Sequence, residues 1–140
     1  MSQTLPTYRL IQDGNLSTTI LMPNANAATY SGALDLGAPH AAFSQEKFTL
    51  LVSVPATNIV SAKSTVLVLE SADVNVNANF AAVAGGGTVT ITGVGGDPSA
   101  AFDQEVAVPG AAKQFLRFSS TGAANSGTTL TETITVRLQF

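Results

Sequence analysis

The chain has 140 residues, of which 45% are hydrophobic and only 11% charged, with a formal net charge of -3. That length suits one domain with a core of its own, and high hydrophobicity with low charge excludes a disordered chain. Its six Lys and Arg are scattered, which argues against a nucleic-acid partner, and no stretch approaches the roughly 20 apolar residues that cross a bilayer.

In chain order, the opening MSQTLPTYRLIQDG lacks a basic start followed by an apolar run, so it is not read as a secretory signal. Residues 1–28 carry apolar pieces on either side of an Asp13-Gly14-Asn15 turn, and read as an N-terminal arm or edge hairpin of the same domain. A hairpin, an edge strand and an arm that orders on a partner all fit that pattern. From residue 29 to 140, β-branched runs alternate with Gly, Pro, Asn and Ser clusters. Strands are expected near Ala28–Leu36, Lys47–Val54, Ser64–Ser71, Asn79–Ala84, Gly87–Gly93, Phe102–Val108, Lys113–Ser120 and Thr129–Phe140. About eight antiparallel strands make this an all-β sandwich of jelly-roll type.

Three of these runs differ in pattern. In TVTIT, Val89 and Ile91 alternate with threonines, the mark of a strand half in water. In VLVLE both faces are apolar, Val66 and Val68 against Leu67 and Leu69, so the strand is central or its second face meets a neighbour. The closing TLTETITVRLQF puts Leu130, Glu132, Ile134, Val136, Leu138 and Phe140 on one side and threonines, Arg137 and Gln139 on the other. Phe140 is expected to plug the end of the sandwich.

Reactive groups are few. His40 is the sole histidine and sits in the small-residue run GAPHAAF, which reads as an exposed loop. The carboxylates of Glu70 with Asp73, and of Asp103 with Glu105, have no diagnostic spacing, and no set of nucleophile, base and orienter can be assembled. No enzymatic role and no cofactor are expected. Neither AGGGTVTITG nor GVGGDP completes a phosphate-loop or dinucleotide pattern, so their glycines read as turns. There is no cysteine, which removes thiolate chemistry and disulfides.

In DVNVNANF, Asp73, Asn75, Asn77 and Asn79 recur at every second position, as oxygen ligands do in calcium loops, but Ala78 and Ala84 stand where glycine and glutamate belong. A structural bend is the preferred reading, and no metal site is assigned. By parity most aromatic residues, Tyr30 and Phe80 among them, are core candidates. Tyr8 and Phe43 lie outside the strands and read as anchors of a contact surface. With the apolar residues Leu10, Ile11, Leu21 and Met22 of the first segment, they form the candidate interface.

The succession YSGALDLG, LLVSVPAT, TVLVLESADVNVNANFAAVA, VTITGVGG, EVAVPGAAKQFLRFSSTG and ETITVRLQF resembles the capsid cement, or decoration, proteins of tailed phages, from about Thr29 to the end. The resemblance implies a jelly roll on the outer surface of the virion head, made in the host cytoplasm. Its partners would be the phage major capsid protein and itself, as a homodimer or a trimer. A non-catalytic jelly-roll binding module, an adhesin or a tail-associated glycan-binding domain, is the alternative.

Overall fold

Alternation of apolar and polar residues commits this chain to strands that bury one face, and the structure arranges them as two antiparallel sheets packed face to face. The computed structural model describes residues 12–23, 28–40, 48–57, 59, 63–93, 99–121 and 132–139. Within them lie β1 (Gln12–Leu21), β2 (Thr29–Tyr30), β3 (Leu34–Asp35), β4 (Thr49–Val54), β5 (Ser64–Ala72), β6 (Ala81–Ala82), β7 (Thr88–Thr92), β8 (Phe102–Ala107), β9 (Phe115–Thr121) and β10 (Thr133–Gln139). The first sheet has the order β1-β10-β4-β8. The second has β2-β9-β5-β6, with β3 also on β9 and β7 also on β5.

Among the described residues ten segments replace the expected eight, because β1 forms in the first segment and the strand expected over Ala28–Leu36 is split into β2 and β3. Five steps from Thr29 to Leu34 oppose four from Ser120 to Leu116, so one extra residue bulges out between β2 and β3. Six steps from Ala82 to Thr88 oppose two from Glu70 to Val68, so the chain loops out between β6 and β7, where Gly85 takes a φ of 76°. The strand expected over Asn79–Ala84 shrinks to Ala81–Ala82, because Asn77–Asn79 forms a 3-10 turn in front of it.

The register of β1 against β10 shifts between Gln12 and Ser17, across the Asp13-Gly14-Asn15 stretch expected to turn. β1 is therefore an edge strand with a bulge, paired to β10 from Ser17 to Leu21.

The core lies between the sheets. Ile20, Leu50, Val52, Val54, Val106, Ile134, Val136 and Leu138 enter it from the first sheet; Leu34, Leu67, Leu69, Val89, Ile91, Leu116 and Phe118 enter it from the second. β5 is central, with β9 on one side and β6 and β7 on the other; Leu67 and Leu69 face the core, while Val66 and Val68 on its second face are half-buried. Each fully buried aliphatic side chain contributes about 1.5–3 kcal/mol of transfer free energy, so these rows hold the sheets together. The connection from β5 to β6, Asp73–Phe80, stays with the second sheet and forms a flap over its outer face.

Candidate functional site

Under this flap lies a cluster of polar and aromatic side chains around Arg117. Arg117 of β9 and Glu70 of β5 are opposed in the strand register. Both therefore project from the same outer face, away from the core that Leu116 and Leu69 enter. Arg117 Nε donates to Glu70 Oε2 at 2.7 Å, and its Nη1 donates to Asn77 Oδ1 of the flap. The guanidinium carbon sits 4.3 Å from the ring centroid of Tyr30 and 4.1 Å from that of Phe80.

Burying an ion pair costs desolvation. That cost is offset here by the close contact, the second hydrogen bond, to Asn77, and two aromatic faces, each stack adding on the order of 0.5–2 kcal/mol. Arginine suits this position because its planar fork stacks and bonds at the same time, which an ammonium cannot do.

The flap's rim is different in character. Asp73 and Lys113 pair at 2.9 Å with at least half of each side chain in water, and the Lys113 backbone N–H donates to Ser71 Oγ. Val74 and Val76 point outward, 53% and 50% exposed, and Tyr30 is 49% exposed. Val74 and Val76 are thus exposed on the flap whose Asn77 and Phe80 hold the buried guanidinium, with an acid and a base at its edge.

Nearby on β3, Asp35 Oδ1 accepts from Gln114 Nε2 and from the Gly37 backbone N–H. These two donors, Gln114 first, hold the Asp35 carboxyl below its ordinary value of 3.8.

Of the residues expected at an interface, Leu21 and Met22 fall among the described residues. Tyr8, Leu10, Ile11 and Phe43 lie outside the described residues, as does Phe140. Leu21 ends β1 with 47% of its surface exposed. Met22 is a correction: it is fully buried in the core, and its side chain is not available to a partner. Tyr30 and Phe80 are a second correction, since both stand on the outer face against Arg117 rather than in the core.

His40 is a third correction. It is half-buried, with its ring edge-on to Phe48 at 5.0 Å, its backbone N–H bonded to the Ala112 carbonyl and its Nε2 enclosed. In the calcium-like stretch, Asp73 is held by Lys113 and Asn77 by Arg117, so two of the four oxygen groups already serve cationic side chains. Among the described residues no group of three or more His, Asp and Glu gathers in metal-binding geometry, and no helix is long and apolar enough to cross a membrane.

Sequence reasoning missed Arg117, and weighed Glu70 only as a carboxylate beside Asp73. Their signal was available: one Arg in FLRFSS and one Glu in STVLVLES, each a single charge inside an otherwise uncharged β run.

No family model and no curated protein matches the chain. Among solved structures, it is similar to the K1 cleaved adhesin domain of Lys-gingipain from Porphyromonas gingivalis W83, at 21% identity and a TM-score of 0.43, over 81% of this chain and 63% of that one. This chain thus spans less than two thirds of that domain.

Proposed function

We propose that this protein is a non-catalytic β-sandwich that works by surface contact, and that it serves as a capsid cement protein on the outside of a tailed-phage head, tying neighbouring major capsid protein subunits together. The observation that carries the contact reading is the flap. Val74 and Val76 are exposed on a flap that Arg117 holds through Asn77 and Phe80, and half-exposed Tyr30 stacks on the same guanidinium, so this surface needs little ordering before it binds. The strand order supports a jelly roll. With β2 and β3 counted as one interrupted strand, and β6 and β7 as another, the two sheets read 1-8-3-6 and 2-7-4-5.

Cementing requires no reaction. Packaged DNA pushes outward on the shell, and many copies pre-positioned by the lattice add weak contacts through effective concentration. The low charge and net acidity keep such a surface off nucleic acid. The test is binding of the purified protein to expanded heads at fixed stoichiometry, with a gain in their resistance to heat. Heads that package DNA and survive heating equally well without it would end this reading.

The half-exposed ring of Tyr30 favours a second reading, a glycan-binding module in which a sugar stacks on that ring. A glycan array that returns a clear ligand, lost in Tyr30→Ala, supports it.

A further inference from the structure

Beside the flap, the strand register fixes a row of side chains on the outer face of the second sheet. Tyr30 of β2 opposes Ser119 of β9, Ser119 opposes Val68 of β5, and Val68 opposes Thr88 of β7. They share one face and cross the sheet in line over about 14 Å, three strand spacings. Val66 and Thr90 oppose each other in the next row. The row begins at an aromatic ring whose pose is set from one side: the Arg117 guanidinium lies 4.3 Å from its centroid, and Tyr30 remains half-exposed. Val66 and Val68 are half-buried, and Thr88 and Thr90 are exposed. Ser119 is only 7% exposed, and its hydroxyl has no hydrogen-bond partner among the described residues. A nearly buried hydroxyl left without a partner is costly, and a hydroxyl brought by a ligand removes that cost.

We propose that this row is a binding site for an uncharged oligosaccharide, with one sugar ring stacked on Tyr30, the next lying over Val68, and sugar hydroxyls bonded to Ser119 and Thr88. The proposal rests on the second reading above, a glycan-binding module, and adds the ligand class and the residues beyond Tyr30. A sugar ring has an apolar face and a rim of hydroxyls, which matches the mixture of aromatic, valine and hydroxyl-bearing side chains along the row. Charge narrows the class. Neither row holds a charged side chain, Arg117 is already neutralised by Glu70, and the net charge of -3 opposes anions. Nothing on this face would offset the desolvation of a sialic acid carboxylate or a sulfate. The ring that Arg117 holds in place also lowers the cost of ordering the site.

Amide NMR of the isotope-labelled protein tests this. The probes are neutral hexasaccharides of glucose, mannose and galactose, and sialylated and sulfated oligosaccharides, each titrated to about 10 mM. At least one neutral hexasaccharide should shift the amides of Tyr30, Val68, Thr88 and Ser119 together, while the acidic probes leave them unmoved. Thr88→Val and Ser119→Ala should each weaken that binding about fivefold, the loss of one hydrogen bond. Each variant's own spectrum confirms its fold. Tighter binding of the acidic probes overturns the assignment of the ligand class. Binding that is lost in Tyr30→Ala yet unchanged in Thr88→Val and Ser119→Ala overturns the row and leaves the stacking reading standing. Amides that stay unmoved with every probe overturn both.

Discussion

Arg117 and Glu70 meet at 2.7 Å directly across the β9–β5 pair, on the outer face of the sandwich, yet their side chains are only 8% and 16% exposed. A salt bridge on a solvent-side face is normally wet. Here the flap and Tyr30 enclose it, so the pair behaves like a buried one, costly to break from one side and less costly to replace whole.

Glu70→Ala should therefore destabilise the fold by about 2–4 kcal/mol, because it leaves Arg117 enclosed without its carboxylate. Arg117→Ala should cost a similar amount, and the two changes together clearly less than their sum, with a coupling of about 1–3 kcal/mol. Arg117→Lys keeps the charge but gives up the stacking, and should recover only part of the loss. Denaturant melts of the four variants measure this, and strict additivity would show that the two side chains do not act as a unit.

Thr65 faces the core from β5, opposite Ile91, and is fully buried with no hydrogen-bond partner for its hydroxyl. Valine has nearly the same shape and no polar atom to desolvate. Thr65→Val should raise stability by about 1 kcal/mol or somewhat more, read as a higher denaturant midpoint with an unchanged slope. A loss of stability would mean that the hydroxyl is satisfied in solution.

Asp35 ties β3 to Gln114 and to the Gly37 turn through one carboxylate oxygen. Its pKa in the folded protein lies below the ordinary 3.8, so around that pH the unfolded chain binds more protons than the folded one. Its contribution to stability is complete above 3.8 and is lost as pH falls through the depressed folded value. Wild type should melt above Asp35→Asn at neutral pH, and the gap should close as pH drops below 3.8. A gap that stays constant with pH would show that the charge plays no part.

Most of the sandwich was legible because half-buried strands advertise themselves. The alternation in TVTIT and in ITVRL places Val89, Ile91, Ile134, Val136 and Leu138 on the core side, where the structure has them. The Gly-rich turn between β6 and β7 was legible from its glycines, but the break between β2 and β3 was not, since a bulge at Ser31–Ala33 leaves residue types unchanged while shifting register. Tyr30 went astray for that reason: parity assigns a face only while a strand is unbroken.

Met22 failed differently, as an apolar residue beyond the end of β1 gives no sign of whether it turns in or out. The candidate site depends on Arg117 and Glu70 facing each other across two strands 47 residues apart in sequence. Only the sheet order β9-β5 brings them together, and no local pattern encodes that order.

The most direct measurement of the whole account is hydrogen exchange on the free protein and on the protein bound to expanded phage heads, since a molecule that works by contact must protect the surface it uses. Strong added protection over Val74–Phe80 and around Tyr30, with the core strands unchanged, is the outcome this structure predicts. Protection confined to the outer face of the first sheet, with the flap exchanging as fast as before, would contradict it.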